Sequence, residues 1–449
     1  MSQLNLISLL GLVVMIVIAW CLSSYRRRVN WRLVTVGVLL QFLLAAILFQ
    51  SQNWTFGGQF ENGILFAAVD GFFKAILFYV SEGSGFMFGI NGLGADDPTN
   101  PKSLLQTFAF GVLPTVIFFA ALMSILYHLG VMQVVIRAMA WVMRKTLGTT
   151  GPESLAAAAN VLVGHTEAPL VIKPYVASMT RSELNALMVG GFSTISGSLM
   201  AIFVNQGVSA GHILSASIIS APAALVIAKI LQPETETPVD VVSSEQKMEK
   251  NATNVIEAAA IGASDGMKLA INIAAMLIAF LALIAMFDAL IGVIGECAQA
   301  IANISGPPID LQWSLSGLFG IVFYPLAWLM GIEAVDCGVS GDLLGKKMVV
   351  NEFVAYWEMS QVDVRDAAVA TPAADDGASL SDRSKTILTY ALCGFSNFGA
   401  IGIQIGGIGP LAPERRGELA QLGLRAMFGG MLACCMTACM AGIMYGVLK

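Results

Sequence analysis

The sequence predicts an all-α integral membrane protein with about eight transmembrane helices and two re-entrant hairpins. Three observations carry that expectation. Of 449 residues, 56% are hydrophobic and 12% are charged, where a soluble domain averages about 25% charged. Mean hydropathy is +0.75, and long apolar stretches recur at the length, about 20 residues, that crosses a bilayer. Two further stretches, each built around a glutamate, interrupt this pattern with polar residues set among apolar ones. Barrel strands would read as about ten alternating residues, a pattern that does not occur here.

The apolar segments lie at 4–22, 33–50, 106–128, 184–205, 210–231, 266–295, 311–331, 384–409 and 421–446. The first has no basic residue before it, and Arg26, Arg27 and Arg28 follow it. A secretory signal has the opposite charge order, so 4–22 reads as a retained helix with its amino end outside. The same rule puts Arg137, Arg144, Lys145, Arg415 and Arg416 in the cytoplasm. It is kept for the rest of the chain when 311–331 is interfacial or partly inserted; if that segment spans, the parity of everything after it flips. The seven cysteines, Cys21, Cys297, Cys337, Cys393, Cys434, Cys435 and Cys439, have no CxxC spacing and no nearby histidine, and read as helix packing. A net charge of −6 over this length suggests no nucleic-acid partner.

Two polar stretches punctuate the chain. QPETETPVDVVSSEQKMEK at 232–250 divides it into two hydrophobic halves, and the Ala/Asp/Ser-rich stretch at 361–385 reads as a surface loop. The halves resemble each other. Each has a polar-Glu pair in apolar context, Thr166-Glu167 and Asn351-Glu352. Each continues through a Ser/Arg-containing start, Thr-Arg-Ser or Ser-Asp-Arg-Ser, into Gly-Phe-Ser, at 191–193 and 394–396. Glu167 precedes Gly191 by 24 positions and Glu352 precedes Gly394 by 42, the difference being roughly the second loop. An internal repeat of this kind is a signature of secondary transporters. Residue parity alone leaves open whether the copies are inverted.

A carboxylate in the hydrocarbon region costs a few kcal/mol (about 2.5–3.5 for Asp on the lenient scales), and Glu167 and Glu352 hold such positions. Their stretches, 152–180 and 333–360, are too polar to be good spanning helices and too apolar in LAAAANVLVG, APLVI and VVNEFVAY to be ordinary loops. They read as hairpins that enter and leave on one side, since irregular backbone at membrane depth survives only inside protein or along a wet cavity. The segments GFSTISGSLM and GFSNFGAIGIQIGGIG are crowded with small residues. Close helix packing explains Gly191, Gly197, Gly402 and Gly406 but not the polar Thr194 and Asn397 at matching places. An unwound turn there would free carbonyls for a cation. The glycines lack GxGxxG spacing for a dinucleotide. His165, two residues before Glu167, is either a satisfied helix residue or a ligand and proton-coupling group.

At these residues the chain resembles the concentrative nucleoside transporters. The matching motifs, in order, are ANVLVGHTEAPLVIKPY (159–175), GGFSTISGSL (190–199), LLGKKMVVNEFVAY (343–356) and ALCGFSNFGAIGI (391–403), and the likeness runs from about residue 30 onward. The resemblance implies a homotrimer on a scaffold of outer helices, with an inverted-repeat transport domain in each protomer. It implies nucleoside movement into the cell, across the inner membrane of a bacterium, driven by sodium or protons. The family's base-binding positions fall on His165, Thr166 and Glu167, and its apolar base neighbours on Leu199 and Phe395. Its ribose-binding positions fall on Glu352 and Asn397, and its sodium site on Asn160, the Val163 carbonyl, Thr194 and the Ile195 carbonyl. Two departures stand out: many members have Gln where this chain has His165, and a ribose-contacting Ser where it has Ala400.

The expected organisation is N-terminal transmembrane and scaffold helices (1–130), a first repeat (131–232), a polar linker (233–256), a scaffold helix with an interfacial segment (257–331) and a second repeat (332–449). The expected activity is cation-coupled nucleoside symport, sodium favoured over protons, with no enzymatic cofactor and no covalent chemistry. A cation channel lined by the same hairpins is the rival. A lipid-modifying membrane enzyme is argued against by three scattered histidines, His128, His165 and His212, with no matching motif.

Overall fold

The computed structural model describes residues 2–51, 64–87, 113–165, 168–238, 252–302, 314–368 and 380–445. Among these residues every regular element is helical. The helices that frame the molecule are α1 (Gln3–Cys21), α2 (Trp31–Ser51), α3 (Ile64–Met87), α4 (Leu113–His128) and α5 (Val131–Leu147). The first repeat holds α6 (Gly151–Val163), the short α7 (Ala168–Val171) and α8 (Lys173–Val176), then α9 (Arg181–Ser193), α10 (Gly197–Asn205) and α11 (Ala210–Leu231). After α12 (Val255–Ala302) and α13 (Leu315–Leu329), the second repeat holds α14 (Cys337–Val349), α15 (Glu352–Ala368), α16 (Asp382–Leu392), α17 (Phe398–Ile408) and α18 (Arg416–Met444).

Side-chain placement is that of a membrane protein. On α1 the buried stripe is Asn5, Ser8, Gly11, Leu12, Met15 and Ala19, while Leu6, Leu9, Leu10, Val13 and Val17 are exposed. Polar and small residues thus face the protein and leucines face outward, as expected where lipid is the solvent and helices associate through packing and hydrogen bonds. Among the described residues α1, α2, α11 and 413–444 are each long and apolar enough to cross a membrane, and α4 with α5, bent by 76°, counts as a fifth if that pair is one span. α11 and α18 form the buried centre: 89% of the apolar window in each is enclosed by protein, against 33% for α1 and α2.

Local features explain how the elements fit. Pro222 inside α11 cannot donate to the carbonyl one turn back and crowds that turn; Gln41 of α2 donates to the nearby Ile219 carbonyl at 3.2 Å. Gly262 and Gly266, a GxxxG pair on α12, let that helix cross α4 so closely that an added Cβ would lie 2.5 Å from the Ala120 carbonyl oxygen or 2.8 Å from the Ile117 Cα. The segment expected to be interfacial or partly inserted is α13, 15 residues with Pro325 inside. It is about 22 Å long at 1.5 Å per residue, shorter than the hydrocarbon thickness of about 30 Å. Glycines 341 and 345 bring α14 against it.

The structure differs from the sequence reading in two places. α3 was absent from the expected segments because Asp70, Lys74 and Glu82 break its hydropathy; Asp70 accepts the Gly211 N–H at 3.2 Å, satisfying a free donor in the first turn of α11. The second polar stretch, expected at 361–385, is shorter at both ends, since 361–368 continue α15 and 382–385 open α16. Part of the expected segment at 106–128, residues 106–112, and most of the linker lie outside the described residues.

Hydrogen bonds at the two ends of the bundle fix the orientation of the repeats. At one end, Ser24 after α1 donates its N–H to the Leu231 carbonyl at 2.9 Å, and Arg425 of α18 reaches the Ser24 hydroxyl. The start of α9 lies there too: Ser182 donates to the Gln232 carbonyl at 2.7 Å, and Arg415 donates to the Met179 carbonyl. So does the start of α6, through the Lys229–Glu153 ion pair at 2.6 Å. At the other end Arg383, in the first turn of α16, donates to Asn5 Oδ1 at 2.8 Å, to the Gly331 carbonyl at 2.9 Å and to the Gly442 carbonyl at 2.9 Å. α9 and α16 therefore enter from opposite ends and run toward each other, so the repeats are inverted.

They meet at their breaks. Gly394, at φ +151°, sits where an added Cβ would lie 2.6 Å from Cys434 Sγ and 2.8 Å from the Phe192 carbonyl oxygen. Gly394→Ala should lower thermal stability in detergent by about 1 kcal/mol or more. Gly402→Ala, inside α17 where the added methyl meets nothing within 4 Å, should hold or raise it; equal melting temperatures for the two variants by thermal-shift chromatography would contradict this packing.

Candidate functional site

Each broken helix stops at a backbone that has left the helical region. α9 ends at Ser193, with Thr194 extended at φ −128°, ψ 164°, and the helix resumes at Gly197. α16 ends at Leu392 and the chain resumes after Asn397, at φ −130°, ψ 161°. Around these breaks lie the tips of both hairpins.

The first break faces the end of α6. Gly164, at φ +81°, packs so closely that an added Cβ would lie 2.6 Å from Ser196 Cβ, and one on Gly190 would lie 2.9 Å from Asn160 Nδ2. Asn160 is 1% exposed. Its Nδ2 donates to the Leu187 carbonyl at 3.5 Å, and its Oδ1 has no hydrogen-bond partner among the described residues. Thr194, fully buried, donates its hydroxyl to the Gly190 carbonyl at 2.9 Å, so its lone pairs stay available. Two helices, α6 and α9, end here at Val163 and Ser193. Their last carbonyls lack intrahelical partners and carry the negative end of the helix dipole. The chemistry of the place is oxygen-rich and suited to a small hard cation.

The second break holds a different set. Asn397 caps α17: its Oδ1 accepts the Ala400 N–H at 2.8 Å, and its Nδ2 donates to Glu352 Oε2 at 3.1 Å. Glu352, 2% exposed, opens α15 at the tip of the second hairpin. The His165 ring, from the tip of the first hairpin, lies 4.2 Å from Phe395, tilted by 58°. Both imidazole nitrogens are buried without a partner among the described residues. A carboxylate locked to an amide, a free imidazole and an aromatic face are therefore within one neighbourhood. That set can accept from paired hydroxyls, hydrogen-bond a ring edge and cover a flat ring.

The structure thus brings His165, Phe395, Asn397 and Glu352 together, and separately Asn160, Thr194 and the backbones of Val163 and Ile195. Leu199 is buried in the first turn of α10. Thr166 and Glu167 lie outside the described residues. One polar residue escaped the sequence reading: Gln404, one turn beyond Ala400 on the face of α17 that carries Asn397. It donates to the Met188 carbonyl at 3.2 Å while Oε1 lacks a partner among the described residues. It also crowds Gly191, where an added Cβ would lie 2.4 Å from Nε2. The sequence signal was a lone amide inside an apolar helix, seven residues after Asn397. No group of three His, Cys, Asp or Glu side chains able to hold a metal occurs among the described residues.

Comparison with known proteins gives the family. Residues 212–442 match the family model described as the Na+ dependent nucleoside transporter C-terminus, 10–91 match the corresponding N-terminus, and 109–209 match a gate model described as nucleoside recognition. An uncharacterized transporter of Haemophilus influenzae is 41% identical over 442 residues, covering 98% of both chains. Solute carrier family 28 member 3 of Mus musculus is 39% identical over 99% of this chain, and sodium/nucleoside cotransporter 1 of Homo sapiens is 37% identical over 98% of it. The chain spans 59% and 64% of the length of those two relatives. The structure of CNTnw in an inward-facing substrate-bound state matches with a TM-score of 0.85 at 37% identity, covering 99% of each chain. A variant of the same protein in an outward-facing state matches at 0.84, at 36% identity over 100% of this chain and 99% of that one. The two values are nearly equal, so the likeness reports the fold rather than a stage of transport. The chain belongs to the family of sodium-dependent nucleoside transporters.

Proposed function

We propose that this protein is a sodium-coupled symporter that carries nucleosides into the cell across the inner membrane as a homotrimer. The moving part is formed by the two repeats, 131–232 and 332–449. The observation that carries the reading is the Glu352–Asn397 hydrogen bond beside the His165–Phe395 ring pair, all buried and next to the oxygen-rich first break.

In this reading Glu352 and Asn397 take the ribose hydroxyls, the carboxylate accepting and the amide both donating and accepting. Phe395 and Leu199 cover the base, and His165, Thr166 and Glu167 read its edge. His165 offers an imidazole where many family members have a carboxamide, which changes the donor–acceptor set toward the base. Ala400, 1% exposed, has no hydroxyl to offer the sugar, and the contact there falls to its neighbours Asn397 and Gln404. Sodium sits among Asn160 Oδ1, the Thr194 hydroxyl and the carbonyls of Val163 and Ile195. Because Gly164 and His165 directly follow the end of α6, an ion bound there orders the tip that touches the nucleoside.

Radiolabelled nucleoside uptake into proteoliposomes tests the reading, with an inward sodium gradient compared with a proton gradient in choline. Saturable uptake that requires sodium is expected; uptake that follows protons and ignores sodium, or current without saturable solute uptake, would sink it. Glu352→Gln should reduce uptake by about a hundredfold or more while the oligomer elutes unchanged, since a lost charge-assisted pair costs about 1.5–3 kcal/mol at each of two hydroxyls. Asn160→Ala should raise the sodium concentration needed for half-maximal uptake by about tenfold or more, leaving the nucleoside KM at saturating sodium little changed. An unaltered sodium response would remove Asn160 from the ion site.

A further inference from the structure

The two inverted repeats treat their breaks differently, and the difference lies in one side chain that the transport reading does not use. In each repeat, the last turn of the first hairpin helix sends a side chain to a carbonyl just before the break. In the first repeat Asn160, three residues before the end of α6, reaches the Leu187 carbonyl at 3.5 Å. In the second, Lys347, two residues before the end of α14, reaches the Ala391 carbonyl at 2.7 Å. Leu187 precedes Gly191 by four residues and Ala391 precedes Gly394 by three, so the two contacts match to within one residue. Helices α6 and α14 are both 13 residues long.

The chemistry at the two places is opposite. Asn160 is neutral and leaves Oδ1 unpartnered among the described residues. Lys347 is 1% exposed, and the Ala391 carbonyl is its one hydrogen-bonding or ion-pairing partner among the described residues. A buried ammonium is costly and persists where negative charge compensates it; part of that charge is the Glu352 carboxylate, which interacts electrostatically with Lys347. Ala391 is the next-to-last residue of α16, so Lys347 meets the carbonyl end of a broken helix, which carries about half a negative charge. Its neighbouring carbonyls are also taken: Tyr356 donates to Thr389 at 2.6 Å, and Cys434 lies 3.1 Å from that of Cys393.

We propose that Lys347 is a tethered cation, taking in the second repeat the place that sodium takes in the first, so that one mobile sodium per nucleoside completes both breaks. The proposal rests on the reading of Asn160 and Thr194 as the sodium site. Lys347 is a positioning residue: it holds the end of α16 and the tip that carries Glu352, five residues later, and makes no contact with the nucleoside. A charge built into the chain cannot dissociate during the cycle. The second hairpin then stays charge-compensated when empty, and only the first depends on ion supply.

The test is nucleoside affinity by isothermal titration on the full-length protein in detergent, with uridine and adenosine as probes, over a range of sodium activity balanced by choline. For the parent protein, log affinity against log sodium activity should rise with a slope of about one; a slope near two would overturn the proposal. A flat response would overturn the sodium reading itself, and the proposal with it. Lys347→Gln, which keeps a donor for Ala391, should weaken binding by about tenfold at low sodium and steepen the slope toward two as an ion enters the vacated place. Lys347→Arg should keep a slope of about one. Lys347→Gln with parental affinity and slope, or Lys347→Arg behaving like Lys347→Gln, would overturn the tethered-cation role. Should Lys347→Gln fail to fold, the parent slope and the Arg variant decide.

Discussion

Helices that stop at membrane depth must find partners for their backbone from within the protein, because lipid supplies none. Four such ends meet at the centre of this molecule, and the surrounding side chains answer them one by one. Thr194 and Ser193 turn back to the Gly190 carbonyl. Asn397 caps α17, and Gln404 of the second repeat reaches the Met188 carbonyl of the first. The Cys434 thiol, on the central helix α18, lies against the Ser193 and Cys393 carbonyls, one from each repeat. Gly430 of the same helix permits that approach, since an added Cβ would lie 2.3 Å from Phe192 Cβ. The buried centre, the glycines and the inverted entry of α9 and α16 all serve this one requirement.

Function follows from what is left over. Most buried polar groups in folded proteins are paired; here Asn160 Oδ1 and both His165 nitrogens are buried without partners among the described residues. Unpaired polar atoms of this kind are costly to keep buried, and a ligand that pairs them recovers that free energy on binding. The packing also links the two hairpins to each other's repeat. His165 lies on Phe395 of the second break, while Phe353, just after Glu352, packs on Phe203 of α10. In the proposed reading, an ion at the first break and a nucleoside at the second would act on shared structure.

Much of this was legible in the sequence for physical reasons. Glu352 stands out because a carboxylate among apolar residues is expensive, and the repeated Gly-Phe-Ser because small residues weaken a helix where backbones must approach. The breaks came through as composition, while their directions did not: which end α9 and α16 enter from depends on long-range bonds such as Arg383 to Asn5, invisible to any window along the chain. α3 was lost because Asp70, Lys74 and Glu82 mask its apolarity. Gln404 and Lys347 look like ordinary polar residues until their carbonyl partners, 216 and 44 residues away, are known.

The central claim is that ion and nucleoside share one site through the tip of the first hairpin, so each must tighten the other by the same factor. The direct measurement is a pair of calorimetric titrations on the purified protein: nucleoside with and without saturating sodium, and sodium with and without saturating nucleoside. The account predicts that sodium raises nucleoside affinity by about tenfold or more, and that nucleoside raises sodium affinity by an equal factor within error. Nucleoside binding of the same strength in sodium and in choline would contradict it.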